Sequence, residues 1–293
     1  MSLLARWRNR LPKRPAGKDR AEERPVQVIG LCRFSYPAAG GFQINHASPE
    51  DRARFLYDPA RLEARLRSFE ALTLPCLRAQ SDPDFSFLVV IGNDLPGWSR
   101  ARLEALLADL PQAVLQAHPP GGAHRQVMQA AINSLRLEPV RRCLQFRLDD
   151  DDAVNCRFVE RLRAAALDAR PLAAQHRLLA IDFNQGHIVR PGPEGLHSAP
   201  VKRAYWAPGL AVLAGPWVRL TVMNFNHARL WHHMPTLTLP EPDMFLRGIS
   251  ETSDSAFHRN TPLTLLDAAG EAHFRTAFGI CAERVRQLYA PGG

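Results

Sequence analysis

Asp149, Asp150, Asp151 and Asp152 stand side by side, directly after the apolar run of residues 142–148. Adjacent carboxylates at the end of a buried strand repel one another, so they require a compensating cation, basic side chains or hydrogen-bond donors. A divalent ion is one such compensator. Mg2+ or Mn2+ held by one or two carboxylates keeps open positions that diphosphate oxygens can fill, and it neutralises a nucleoside diphosphate as it leaves. Side chains alternate along an extended chain, so Asp149 and Asp151 are expected to face one side and Asp150 and Asp152 the other. That would give a metal pair and a hydrogen-bonding pair. The plainer alternative is a solvated acidic turn in which Asp149 or Asp152 caps the next helix.

The elements that must position this run form an alternating series. Residues 26–32 read as a first strand. Residues 59–79 carry Leu62, Leu66, Phe69, Leu72 and Leu77 at helical spacing, with an interruption near Pro75. Residues 85–91 form an apolar run too short for a helix, hence a buried strand. After the turn of residues 92–97, Ser99 is expected to cap a helix holding Leu103, Leu106, Leu107 and Leu110. A short strand over 113–116, a helix around residues 127–135 and a strand over 142–148 follow. Such alternation predicts an α/β fold with a mainly parallel central sheet, flanked by helices. Ligands of such sheets collect at the carboxyl ends of the strands, where Arg33, Asn93, Asp94 and the aspartates fall. Arg33, Arg125 and Arg147 each adjoin a strand end or helix start, which suits them to diphosphate or to salt bridges with the aspartates. Beyond Asp152, a helix over 158–169 gives way to a strand-rich region, with strands at 178–184, 187–190 and 210–213.

Composition narrows the class. The chain has 293 residues, 46% of them hydrophobic, with a formal net charge of +8, so a buried core and anionic partners are both expected. Residues 1–25 carry eight Arg or Lys and read as a mobile basic tail. Leu3, Leu4 and Trp7 could let the tail touch an anionic inner membrane leaflet, or the tail could do nothing specific. No apolar run approaches the roughly 20 residues of a membrane span, and the first residues lack a secretory pattern, so a cytoplasmic location is the expectation. Cys32, Cys76, Cys143, Cys156 and Cys281 are scattered and never paired as CxxC, which points to core filler rather than disulfides or zinc.

Residues 147–153, Arg-Leu-Asp-Asp-Asp-Asp-Ala, resemble the DxD element of GT-A glycosyltransferases. Together with Arg33-Phe34-Ser35 and residues 69–77, they resemble bacterial proteins described as putative rhamnosyl transferases. The resemblance is strongest over residues 26–152. It implies a GT-A, Rossmann-like fold: residues 26–293 as one domain, with 26–152 binding a nucleotide sugar and 153–293 forming a smaller, strand-rich acceptor side. It further implies that the strand ending at Asn93 and Asp94 contacts the nucleobase, although both could be plain turn residues. The stretch holding His124 and Arg125 would pass beside ribose and phosphates. Asp149 and Asp150 would contact the donor, and Asp149, Asp151 and Asp152 would hold Mn2+ or Mg2+.

In inverting members of that class an acidic base lies downstream in a Glu-Asp-x-x-Leu-x-x-Arg-like element. Residues 240–247 are the counterpart here, making Glu241 or Asp243 the base, or else merely acids at a short helix start. A downstream His often joins the metal; His227, His232, His233 and His258 are candidates, with His227 taken as the ligand. The polar stretch 250–255 could be an acceptor loop. The implied activity is metal-dependent sugar transfer, with rhamnose as the named sugar, to a hydroxyl of a glycan or lipid-linked acceptor in cell-surface polysaccharide synthesis. The alternative is a non-catalytic binder of a nucleotide sugar, or of a polyanion or nucleic acid. Nucleic acid is not an expected partner, because RNA-recognition and helix-turn-helix patterns are missing.

Overall fold

The computed structural model describes residues 25–40, 48–138, 140–241, 243–249 and 261–291. Residues 1–24 of the basic tail, the stretch 250–255 and His258 lie outside the described residues. The chain runs β1 (Gln27–Arg33), α1 (Pro49–Leu56), α2 (Pro59–Ser68), a π-turn (Phe69–Thr73), α3 (Leu74–Arg78), β2 (Ser86–Gly92), α4 (Gly97–Leu107), β3 (Ala113–His118), α5 (His124–Ser134) and β4 (Cys143–Arg147). After the aspartates come β5 (Ala153–Val154), α6 (Phe158–Asp168), α7 (Arg170–Gln175), β6 (Leu178–Phe183), β7 (Gln185–Gly192), β8 (Gly195–Lys202) and β9 (Leu210–Ala214). The chain ends with β10 (Thr236–Leu239), β11 (Phe245–Gly248), β12 (Thr264–Leu265), α8 (Ala268–Phe278) and α9 (Ala282–Tyr289).

Seven strands form the central sheet in the order β10-β6-β9-β4-β1-β2-β3. The β1–β2, β1–β4, β2–β3 and β6–β10 pairs are parallel, and β9 runs antiparallel between β4 and β6. The expected mainly parallel α/β architecture is therefore present. Burial on both faces explains why β1 and β2 read as continuous apolar runs. Val28 and Cys32 face the cluster packed by α2, α3, α4 and α6, while Ile29 and Leu31 face Met128, Ala131 and Ile132 of α5. Between them sits Gly30, where a Cβ would lie 2.4 Å from the Phe146 ring, so the close approach of β1 to that ring requires glycine. The five cysteines are free, and Cys32, Cys76 and Cys143 are buried.

Two local expectations shift. The α4 helix starts at Gly97 behind Pro96, so Ser99 lies inside its first turn, buried rather than capping. The interruption of the second helix takes the form of the π-turn: the Leu74 N–H reaches back to the Phe69 carbonyl immediately before Pro75, which has no N–H to give.

A second sheet, β12-β8-β7-β11-β5, supports the first. Because β4 belongs to the central sheet and β5 to the second, the four aspartates form the crossing between the two.

Candidate active site

The aspartate loop turns instead of running straight. The Asp152 N–H donates to the Asp149 carbonyl at 3.1 Å, and the turn replaces the alternation expected of an extended chain. The carboxylates accordingly pair as Asp150 with Asp151 and Asp149 with Asp152. Arg65 on α2 grips the first pair: its Nε donates to Asp150 Oδ2 at 2.8 Å, its Nη2 to Asp150 Oδ1, and its Nη1 to Asp151 Oδ2 at 2.9 Å. Arg247 at the end of β11 grips the second, with Nη1 2.6 Å from Asp152 Oδ2 and 3.3 Å from Asp149 Oδ2. The Gly248 N–H donates to Asp152 Oδ1 at 3.0 Å. Glycine is required there, because a Cβ would fall 1.8 Å from the Asp151 carbonyl oxygen. Thr73, from the π-turn, donates its hydroxyl to the Asp152 carbonyl at 2.8 Å.

These contacts sort the proposed ligands. Each oxygen of Asp150 accepts from Arg65, and those of Asp152 accept from Arg247 and the Gly248 N–H, so both carboxylates are already clamped by the protein and buried. Asp150 and Asp152 are buried while Asp149 keeps about 31% of its side chain exposed. Asp149 also accepts from Arg147 Nη2 at 3.1 Å. Burial pushes the Asp149 carboxyl upward, but Arg147, Arg247, Arg33 and Arg65 together outweigh that and hold it well below the usual carboxylate range.

Around Asp149 the structure gathers several other expected residues. Arg33 Nη1 lies 3.4 Å from His124 Nδ1. Burial, with Arg33, Arg147 and Arg125 nearby, pushes His124 down to about 3, so its ring is neutral. His227 lies within electrostatic reach of Arg147, Asp149 and Arg247, and burial is the main cause of its lowered pKa. Its Nδ1 is 2.6 Å from the Tyr205 carbonyl, which can only accept, so Nδ1 carries the proton and Nε2 the lone pair. Tyr205 is itself held by Asp182, whose Oδ1 accepts the Tyr205 N–H at 2.9 Å.

Other residues lie apart from Asp149. Asp94 accepts from the Tyr57 hydroxyl at 2.6 Å, and the Asn93 N–H donates to the His118 carbonyl, an arrangement in which both close the end of β2. Arg125 is exposed at the start of α5. Trp231 stacks on His232 with ring centroids 3.7 Å apart, and His233 lies against Phe225.

Glu241 and Asp243 are not brought to the aspartates. Residues 245–248 are strand rather than helix, and Asp243 adopts a left-handed turn at φ 55° just before it. At a rise of ~3.3 Å per residue, Phe245 is about 10 Å along β11 from Gly248, and Asp243 lies in the turn beyond Phe245. Glu241 is ion-paired to Arg161 on α6, with Arg161 Nε 2.8 Å from Glu241 Oε2. Asp243 accepts from His187 and His273. Neither acid is therefore placed as the base that the linear motif implied.

The residue that sequence reasoning passed over is Arg65. It lies three residues after Leu62 and four before Phe69, both buried, so a charge on the apolar face of α2 was the available signal.

The acidic loop thus lies at the carboxyl end of a parallel strand in an α/β fold, faced by arginines and by His124 and His227. Residues 27–261 match the model of the family described as "Putative rhamnosyl transferase", and the chain belongs to that family. No curated protein matches it in sequence. Among solved structures, S. aureus TarS 1-349 in complex with UDP-GlcNAc is similar at TM-score 0.41 and 10% identity, over 77% of this chain and 59% of that one. The same protein in complex with UDP gives 0.42 and 9%, over 77% and 61%. A putative nucleotide-diphospho-sugar transferase from Desulfovibrio desulfuricans G20 gives 0.34 and 15%, over 90% and 94%. The chain thus spans about three fifths of the TarS chains. At these scores the likenesses carry no functional weight.

Proposed function

We propose that the chain is a glycosyltransferase that moves a sugar, rhamnose by its family's description, from a nucleoside diphosphate sugar to a hydroxyl of a glycan or lipid-linked acceptor. Cell-surface polysaccharide synthesis is the setting this reading suggests. One observation supports it above the others: Asp149, the half-open carboxylate of the loop, lies among Arg147, Arg247 and two neutral imidazoles at the carboxyl end of β4. Arg33 and Arg147 would pair with diphosphate oxygens, and Asp149 would fix the donor's orientation.

A divalent Mg2+ or Mn2+ ion fits part of this donor set. Asp149 is partly open, Asp151 accepts from Arg65 through Oδ2, and His227 has its other ring nitrogen on a backbone carbonyl, the arrangement usual for a ligating imidazole. Their ligand atoms do not gather within 4.8 Å of one another, so these three would hold an ion only by drawing together around it, while Asp150 and Asp152 would keep the loop in shape. When bound, the ion would neutralise charge on the leaving diphosphate. Arg65 and Arg247 keep the loop from collapsing through its own repulsion. In the transfer the acceptor oxygen bonds to the anomeric carbon as the carbon–diphosphate bond breaks, and the acceptor proton passes to a base to which no described residue is assigned. Among the described residues no helix is long and apolar enough to cross a membrane. Contact of the basic tail with anionic lipid remains part of the proposal.

The deciding experiment is a thermal-shift screen of nucleoside diphosphates and their sugars, with and without Mn2+. A stabilisation that needs one nucleotide together with metal, and that is lost in Asp151→Ala, is the expected result. Full donor turnover by Asp151→Ala in saturating metal would sink the metal assignment.

A further inference from the structure

At the opposite end of β11 from the aspartate loop, three side chains converge from separate elements: His187 on β7, Asp243 in the turn before β11 and His273 on α8. Their candidate ligand atoms all lie within 4.8 Å of one another, and among the described residues this is the set of three gathered so closely. We propose that His187, Asp243 and His273 bind a zinc-class divalent transition ion that fastens α8 to the second sheet.

Each imidazole turns its Nε2 to a different carboxylate oxygen, His187 at 2.7 Å from Oδ1 and His273 at 2.7 Å from Oδ2. Around a tetrahedral ion with bonds of ~2.0–2.1 Å, ligand atoms stand roughly 3.3 Å apart, so a separation by about half an ångström admits the ion. Binding needs each ring neutral with its lone pair on Nε2, so an Nε2 proton would leave to solvent from a charged ring or shift to Nδ1 in a neutral one. The inner ligand is already oriented as such sites require: His187 Nδ1 meets Ser198 Oγ at 3.1 Å, leaving Nε2 for the ion, and its ring packs edge-on against Phe274. Two nitrogens and one oxygen suit zinc better than Mg2+ or Ca2+, which prefer all-oxygen shells. His273 is 47% exposed, which leaves a fourth position to water.

The test is calorimetric titration of the full chain, stripped of metal, with Zn2+ and separately with Mg2+. Cobalt(II) absorption serves as the spectroscopic signature of tetrahedral ligation. The expected result is a zinc-binding step that is at least about tenfold weaker in both His273→Ala and Asp243→Asn and unchanged in Asp109→Asn, a surface carboxylate paired with Arg78. His273→Ala removes an exposed side chain. Asp243→Asn retains a residue that tolerates the left-handed turn, so both variants should remain folded, which circular dichroism verifies. No stoichiometric binding, or binding unchanged in both variants and hence due to other imidazoles or thiols, overturns the proposal.

Discussion

Two acidic groupings occupy opposite ends of β11 and settle their charge in opposite ways. At the Gly248 end, four carboxylates meet the guanidinium groups of Arg65, Arg147 and Arg247, and Asp150 and Asp152 have both oxygens occupied. At the Asp243 end a single carboxylate meets two imidazoles, groups that can exchange a proton for a metal. Carboxylate density therefore does not measure capacity for a cation. What matters is how far the fold leaves a carboxylate open and which ligands gather beside it. Asp149, although both its oxygens accept from Arg147 and Arg247, is the more exposed carboxylate of the loop, and the gathered ligand set lies elsewhere.

The largest effect that distinguishes the two ends is expected from Arg65→Ala. It strands Asp150, which is 1% exposed, and takes a partner from Asp151, which is 4% exposed, and breaking a buried ion pair from one side costs about 3–5 kcal/mol. Urea denaturation measures it. Arg161→Ala is the internal control: its pair with Glu241 is partly exposed on both sides, so a loss under about 1 kcal/mol is expected. Equal losses for the two would mean that the loop is not clamped as described. Next comes function. Asp149→Asn should weaken nucleotide binding at least about tenfold, equivalent to ~1.4 kcal/mol, and should also lower the urea midpoint, because it removes a carboxylate that Arg147 and Arg247 hold ionised. Asp150→Asn should lower the midpoint without changing nucleotide affinity. An Asp149→Asn protein with undiminished donor affinity would remove Asp149 from the site.

The contrast also separates what sequence could and could not disclose. The alternation of β1, α2, β2, α4, β3, α5 and β4 was legible because buried parallel strands are short apolar runs bounded by turn residues, and each has a local cause. The pairing within the aspartate loop was not, since it depends on a turn closed by the Asp152 N–H and on Gly248 approaching from 96 residues away. Arg65 is 85 residues from Asp150, and only its place on an apolar helix face hinted at a buried partner. The Glu241–Asp243 element failed as a linear motif because Asp243 turns left-handed and the chain continues as β11, not as a helix. His187 and His273 lie 56 and 30 residues from Asp243, too far for any spacing rule to join them.

A pH experiment probes the loop end alone. His124 has a folded-state pKa lowered from 6.5 to about 3 by burial and by Arg33, Arg147 and Arg125. The unfolded chain therefore takes up the proton first. The neutral ring's contribution is fully present above pH 6.5 and is lost as pH falls toward about 3. For one proton the slope is at most about 1.4 kcal/mol per pH unit. Asp182 and Asp152, whose pKa values burial raises, titrate in the same window with opposite sign, so the quantity to measure is the difference between wild type and His124→Asn. The wild type should lose more stability than the variant between pH 6.5 and pH 4. Parallel curves would show that the ring protonates freely and does not sit beside the arginines.

The smallest expected effect lies at the other end of β11, and it changes with conditions. Without metal, His273→Ala removes an exposed partner of a partly exposed carboxylate, so its cost should stay under about 1 kcal/mol. With zinc at a hundred times its dissociation constant, binding to the native state adds ~2.7 kcal/mol to the wild type and far less to the variant, so the gap should open by most of that amount. Arg65→Ala should show no such dependence, because guanidinium groups and not exchangeable ligands hold its partners. If the His273→Ala gap stays constant across zinc concentrations, the two ends of β11 differ only in burial. If it widens while the Arg65→Ala gap does not, they differ in kind: one grouping is neutralised within the fold, and the other is completed from solution.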